Sequence, residues 1–231
     1  MGTTLTILIP AFNEEDNIEK EIYKVRDHLE TLDILGWNVL VVNDGSKDRT
    51  RDIVAKICEA DPRIKLINHE INQGVGAAVY TGLMNSTTDW TFLHPADGQF
   101  NIKELNNFLD KTSEAEIIVG YKQEGHKAIH RRILTSINLG LTNVLFRLYL
   151  RNVTWVTMYK VSCVQGLTLK MRSPIIFTEI LVRAKKANAR IVETSTSVWD
   201  RQGGKPTAAR LFQVIKSLFE LFKLRIITWG K

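Results

Sequence analysis

Short apolar runs alternate with helical patterns along the first half of the chain, and this alternation restricts the fold more than any other feature. The apolar runs cover residues 5–12, 37–44, 64–70, 90–97 and 115–122. Continuous apolar runs are typical of strands buried on both faces of a sheet, and the helical segments between them supply right-handed crossovers. We therefore predict an α/β fold with a mostly parallel open sheet flanked by helices, followed by C-terminal amphipathic helices.

Polar, glycine-containing stretches follow four of these strands. They are PAFNE at residues 10–14, NDGS at 43–46, NQGVG at 72–76 and PADGQ at 95–99. Ligands of open parallel sheets bind beyond the carboxyl ends of the strands, so the four stretches predict one ligand site on one rim of the sheet. In this site a carboxylate such as Asp44 could accept hydrogen bonds from a base or ribose.

Taken singly, these stretches also have purely structural interpretations. Asn13, Glu14 and Glu15 suit a helix N-cap followed by acids in the first turn. Asp44 and Ser46 suit an Asx turn and an N-cap. Each stretch alone leaves both interpretations open.

The net charge of +6 is concentrated in the second half, because the excess of Lys and Arg lies beyond Lys122. Such a distribution indicates an anionic partner: a phosphate, a membrane surface or a nucleic acid. No aromatic stacking pattern or nucleic-acid module is recognisable, so nucleic acid is not an expected partner. The sequence shows neither a basic segment before an apolar signal core nor an apolar run of about 18 residues, so we expect a cytoplasmic protein.

The order of the stretches IPAFNEEDNI, VVNDGSKDRT, NQGVGAAVYTG and ADGQF resembles family 2 glycosyltransferases of the GT-A (Rossmann-like) fold. The likeness is greatest to the polyprenyl-phosphate, dolichol-phosphate mannose synthase-like members. It continues through VGYK, HRRI, FTEILVRAKKANARIVE and RQGGKPT, and so covers nearly the whole chain. The resemblance implies transfer of a sugar from a UDP- or GDP-sugar to a polyprenyl-phosphate lipid at the cytoplasmic membrane face.

The resemblance also implies a set of residues that hold the nucleotide-sugar donor. They are Pro10, Ala11, Asn13, Glu14, Asp44, Asn72, Gly74, Asp97, Arg201 and Lys205. Val75 departs from the family pattern, which commonly has Lys or Arg there. Together with Pro95, this departure motivates an alternative: a degenerate member that binds nucleotide-sugar, has weak or no catalysis and acts as a scaffold.

The loop HPADGQF at residues 94–100 is where the family holds a divalent metal. Asp97 and Gln99 match the acid and the amide that contact Mg²⁺ or Mn²⁺, whereas Pro95 stands in place of the first acid. Because Mg²⁺ often takes only one or two protein carboxylates plus substrate phosphates, we expect a metal site completed by the donor diphosphate.

Basic residues beyond residue 121 lie where the family grips the lipid phosphate. The residues implied for the acceptor phosphate are Lys122, Arg131, Arg132 and Thr135. Catalytic roles are implied for Asp97, Arg131 and Arg201. Glu179, in FTEI, lies where the family commonly has an acid facing the active site.

We divide the chain into a GT-A domain at residues 1–210 and a basic amphipathic helix at residues 211–231. Within the domain, residues 1–121 form the nucleotide-sugar half and residues 122–210 the acceptor half.

The apolar stripe of the last helix has three interpretations. It suits packing on the sheet, contact in a homo-oligomer, or binding to a membrane surface with the basic side chains at anionic headgroups. The basic residues concerned are Lys216, Lys223 and Arg225. The third interpretation predicts a peripheral position at the inner or cytoplasmic membrane face.

Overall fold

A computed structural model of the chain describes residues 2–122, 139–197 and 211–228, with side chains from residue 217 onward in the last range. Five residues with predicted roles lie outside the described residues, and their assignments stay predictions: Arg131, Arg132, Thr135, Arg201 and Lys205.

Strands and helices alternate as predicted in the first half of the chain. The strands of the described residues are β1 Thr4–Ala11, β2 Gly36–Asn43, β3 Ile64–Asn68, β4 Trp90–Leu93, β5 Ile117–Lys122, β6 Thr157–Lys160 and β7 Ile191–Thr196. The helices are α1 Ile18–Leu29, α2 Thr50–Ala60, α3 Val75–Asn85, α4 Asn106–Leu109, α5 at residues 139–146, α6 Val161–Gln165, α7 Ile176–Lys186 and α8 Leu211–Thr228. A 3₁₀ turn at Ile102–Leu105 leads into α4.

The strands form one seven-stranded sheet in the order β3-β2-β1-β4-β6-β5-β7. Every pairing is parallel except the two made by β6, which runs antiparallel to both β4 and β5. The mostly parallel open sheet is therefore confirmed. Strand β6 was not predicted, because its four residues are too short to show a period that distinguishes strand from loop.

The sheet brings the predicted loops to one rim. Strand β1 lies between β2 and β4, with Ala11 opposite Asn43 and Leu8 opposite Leu93. Since β1, β2 and β4 are mutually parallel, the loops that follow them leave from the same edge. Strand β5 runs in the same direction as β4, because both are antiparallel to β6, so Lys122 also lies at this edge.

Helices cover both faces of the sheet and bury the alternate side chains of its strands. Ile7 of β1 and Ile22 of α1 belong to one fully buried cluster. Leu8 of β1, Ala78 of α3 and Leu224 of α8 belong to the cluster on the other face. Burial on both faces explains why the strands have continuous apolar sequences.

The second half departs from the predicted elements. Helix α5 ends at residue 146, because Arg147 and Tyr149 adopt φ values of 55° and 57° in the left-handed region. The helix predicted at residues 211–231 is present over Leu211–Thr228, and its Leu221 is fully buried. Strands β6 and β7 of the second half join the sheet of the first half, while the division into donor and acceptor halves stays a prediction.

Candidate active site

Hydrogen bonds connect the loop after β1 to the loop after β2. Asn13 N donates to Ser46 Oγ at 2.9 Å, and Lys47 N donates to Asn13 Oδ1 at 2.9 Å. Glu14 N donates to Thr50 Oγ1 at 2.9 Å. Asn13 has a φ of 54°, a left-handed conformation that Asn tolerates better than most residues. The two predicted donor-binding loops therefore form one structure at the end of β1, directly after Pro10 and Ala11.

Neither Asn13 nor Ser46 caps a helix, so this structural interpretation is wrong for both. Helix α1 begins at Ile18, well beyond Asn13, and helix α2 begins at Thr50, well beyond Ser46. The Asn43 side chain accepts from Ser46 N at 3.2 Å, a bond that spans three residues rather than the two of an Asx turn. This bond uses the amide of Asn43, and the neighbouring Asp44 carboxylate has other partners.

Asp44 is buried, and its carboxylate is held by three donors. Oδ1 accepts from His69 Nδ1 at 2.7 Å and from Gln73 N at 3.0 Å. Oδ2 accepts from Gly74 N at 2.7 Å. Its backbone N donates to Ala11 O at 2.8 Å, which ties β2 to the end of β1. Asp44 thus fixes the loop after β3 on the rim, a role that the sequence did not reveal.

Glycine is required where the loops after β2 and β3 meet. A Cβ on Gly45, which has a φ of +69°, would lie 2.5 Å from Asn72 N. Asn72 Nδ2 in turn donates to Asp44 O at 3.2 Å. Gly74 has a φ of +91°, and Val75 begins helix α3 with 42% of its surface exposed. The close backbone approach brings the predicted residues Asp44, Asn72 and Gly74 together.

The candidate metal loop follows β4. Asp97 Oδ1 accepts from Gln99 N at 3.2 Å, and Gly98 between them has a φ of 72°. Both Asp97 and Gln99 are partly exposed at this rim. Carboxylate and amide oxygens fit Mg²⁺ or Mn²⁺. In the described parts of the chain no three His, Cys, Asp or Glu side chains cluster in a way that could hold a metal.

A buried pair beneath this loop was missed by the sequence analysis. His94 is fully buried at the end of β4, and its Nε2 lies 3.1 Å from Glu21 Oε2 on α1. Its Nδ1 has no hydrogen-bond partner, as expected if the hydrogen resides on Nε2 and is donated to the carboxylate. Burial raises the pKa of Glu21, but the bonds from His94 and Lys24 outweigh burial and hold that pKa below its ordinary value. The sequence signal that could have revealed this pair is a histidine directly after a buried strand.

Two further predicted residues have defined surroundings. Lys122 Nζ lies 3.5 Å from the centroid of the Trp155 ring at the end of β5. Glu179 is fully buried and accepts from Met171 N at 2.7 Å and from Arg183 Nε at 2.7 Å. Glu179 therefore anchors the segment before α7, and the expectation that it faces the active site stays a prediction.

The chain belongs to glycosyl transferase family 2, because the model of that family matches residues 6–171, more than two thirds of the sequence. The predicted family is thereby confirmed. Among curated relatives, the dolichyl-phosphate beta-glucosyltransferases ALG5A and ALG5C of Trichomonas vaginalis are 28% and 34% identical over 148 and 149 residues. These alignments cover 59% of this chain and 46% and 44% of the relatives. The chain thus spans about half the length of the curated relatives it matches.

The fold is shared with solved structures. Glucosyl-3-phosphoglycerate synthase from Mycobacterium tuberculosis, in complex with phosphoglyceric acid, superimposes with a TM-score of 0.72 over 95% of this chain and 80% of that chain. At 16% identity the likeness shows the fold alone, and it confirms the predicted GT-A architecture. A second structure of that synthase holds Mn²⁺, UDP and phosphoglyceric acid, with a TM-score of 0.71 and 15% identity over 95% of this chain and 78% of that chain.

Proposed function

We propose that the chain transfers a sugar from a nucleotide-sugar donor to a polyprenyl-phosphate lipid at the cytoplasmic face of a membrane. The observation that carries this proposal is the rim of the sheet, where the Asp44 loop and the Asp97 loop leave the two strands that flank β1. A nucleotide and its diphosphate can span two such neighbouring loops. The names of the relatives, which specify dolichyl phosphate, support a lipid phosphate as the acceptor.

The donor side would be shared between the loop held by Asp44 and the loop that carries Asp97. Asp97 and Gln99 would hold Mg²⁺ or Mn²⁺ together with diphosphate oxygens, since Pro95 supplies no ligand. When bound, such an ion neutralises the charge that develops on the departing diphosphate. We expect metal affinity to be poor in the absence of nucleotide and to rise when nucleotide is bound.

The acceptor side requires cations rather than a base. A phosphate oxygen of the lipid attacks the anomeric carbon of the sugar, the bond from that carbon to the diphosphate breaks, and the nucleoside diphosphate leaves. A phosphate is ionised at neutral pH, so no general base has to remove a proton from it. Lys122 at the end of β5 is placed on the rim to orient this phosphate, and Arg131 and Arg201 keep their predicted catalytic roles.

Helix α8 offers a surface for the membrane. Its Leu221 and Leu224 are buried, whereas Phe219, Phe222 and Ile226 are 72%, 51% and 73% exposed on the opposite face. Glu220 is the one acidic residue of α8 and bonds to Ser173 Oγ, so the outward face is apolar and basic. Among the described helices none is long and apolar enough to cross a bilayer. The exposed apolar side chains and the basic residues of α8 support contact with the surface of an anionic membrane.

The proposed function is tested by transfer of radiolabelled sugar from a panel of UDP- and GDP-sugars, with Mn²⁺, to polyprenyl phosphate in anionic vesicles. We expect label in a phosphate-linked lipid product with one of these donors. The matched acceptor is the polyprenol without its phosphate, which should receive little or no sugar because a hydroxyl, unlike an ionised phosphate, has to lose a proton to a general base. Binding of nucleotide-sugar without transfer from any donor would support the scaffold alternative.

The double variant Phe222→Ser, Ile226→Ser is expected to weaken binding to anionic vesicles by about 10-fold or more, because burying each apolar side chain in lipid contributes about 1.5–3 kcal/mol. Vesicle sedimentation measures this affinity. Leu35→Ser is the control, since Leu35 is also strongly exposed, at 75%, but directly precedes β2 and lies outside α8. Equal vesicle binding by the double variant and the control would exclude α8 as the contact.

A further inference from the structure

The hydrogen bonds around Asp44 leave its carboxylate a single acceptor position. We propose that His69 is a specificity residue: by occupying Asp44 Oδ1, it makes the donor site select a base with one imino N–H, such as uracil, over guanine. The inference rests on the proposed function, because it specifies the nucleotide that the same site takes.

Three donors already occupy most of the acceptor positions of the Asp44 carboxylate. A carboxylate offers about four lone-pair positions, two on each oxygen. His69 Nδ1 and Gln73 N occupy both positions on Oδ1, at 2.7 and 3.0 Å. Gly74 N occupies one position on Oδ2 at 2.7 Å. With the partners that the described residues provide, one position on Oδ2 remains for a ligand, and the side chain retains 4% exposure.

The three donors to Asp44 are themselves held in place by surrounding residues. The His69 side chain is 8% exposed, and its Nε2 lies 3.0 Å from Thr81 Oγ1 on helix α3. Because Asp44 Oδ1 accepts from Nδ1, the Thr81 hydroxyl can donate to Nε2 and so fix the orientation of the ring. Gln73 N and Gly74 N are backbone donors, and the contact of Gly45 with Asn72 keeps their loop in place. A ligand therefore meets a carboxylate whose Oδ1 is already filled.

The two bases differ in what they present to such a carboxylate. Guanine presents two adjacent donors, N1–H and the exocyclic N2–H, which together take both carboxylate oxygens. Uracil presents N3–H alone, between two carbonyl groups. With Oδ1 filled, one guanine donor would be buried without an acceptor, and an unsatisfied buried donor weakens binding. The geometry therefore favours a UDP-sugar over a GDP-sugar.

Calorimetric titration of the full chain with UDP and with GDP, both in the presence of Mn²⁺, tests the inference. We expect UDP to bind about 10-fold more tightly or better, a difference of about 1.4 kcal/mol. GDP binding that equals or exceeds UDP binding, with transfer from a GDP-sugar, would overturn this inference and leave the proposed function standing. Absence of binding by both nucleotides would overturn the two together.

The variant His69→Leu separates specificity from simple stability. It frees one position on Oδ1, so the ratio of the GDP and UDP dissociation constants should fall at least about 5-fold towards unity. If His69 had a purely structural role, the variant would lower the affinity for UDP and GDP equally and leave that ratio unchanged. That result would overturn the inference. His69→Gln, whose amide can donate to Asp44, should restore the ratio. His28→Leu, on α1 beside Asn106, is the matched control.

Discussion

Asp97→Asn should lower the rate of sugar transfer by about 10³-fold or more. Asp97 supplies the one carboxylate of its loop, because Pro95 takes the place of the other, and Gln99 carries no charge. Loss of one preorganised electrostatic contact at developing charge typically costs about 10²–10³-fold in rate, and here the anchor of the ion is lost as well. Transfer of radiolabelled sugar to polyprenyl phosphate measures the rate. Asn keeps an oxygen for the bond from Gln99 N, so the fold should be retained.

Two comparison variants make this result specific to the loop. Asp110→Asn removes an equal charge from an exposed position after α4 and should leave transfer unchanged. Pro95→Asp adds a second carboxylate and should tighten Mn²⁺ binding in the absence of nucleotide, as measured by calorimetry. Transfer by Asp97→Asn at the wild-type rate would show that the loop takes no part in the reaction.

Gly45→Ala should lower the free energy of unfolding by about 3 kcal/mol and weaken UDP binding by about 10-fold or more. A φ of +69° costs an alanine about 1–2 kcal/mol of strain. The added Cβ would also lie 2.5 Å from Asn72 N, a backbone atom that cannot swing aside. Moving this loop removes donors from the buried Asp44 carboxylate, and an unsatisfied buried charge is costly. Urea unfolding and calorimetric titration with UDP measure the two effects.

Variants of two other glycines distinguish the backbone strain in Gly45→Ala from its close contact with Asn72. Gly74 has a φ of +91° and a ψ of 157°, a backbone region essentially limited to glycine, but a new Cβ there meets nothing within 4 Å, so in Gly74→Ala strain alone should cost about 1–3 kcal/mol of stability. Gly140→Ala, in α5, meets nothing within 4 Å and should be neutral or stabilising by up to about 1 kcal/mol. If Gly45→Ala is no more destabilising than Gly74→Ala, the contact with Asn72 does not constrain the rim.

Local sequence patterns predicted the strands β1 to β5 and the helices between them, because a strand buried on both faces needs apolar residues without interruption. The same reasoning failed where local pattern carries little information. Strand β6 has four residues and pairs with β4 and β5 from a distant part of the chain. The end of α5 depends on left-handed residues, Arg147 and Tyr149, whose side chains give no sign of that conformation.

The sequence by itself determined the family, the order of the core elements and the position of Asp44, Asn72, Gly74 and Asp97 on one rim. These properties follow from periodicity, from motifs and from the rule that loops after parallel strands share an edge. Only the tertiary structure decided which buried polar groups pair. His69 binds Asp44 across 25 positions in sequence, and His94 binds Glu21 across 73. A buried carboxylate must find donors wherever packing places them, and no local pattern records that choice.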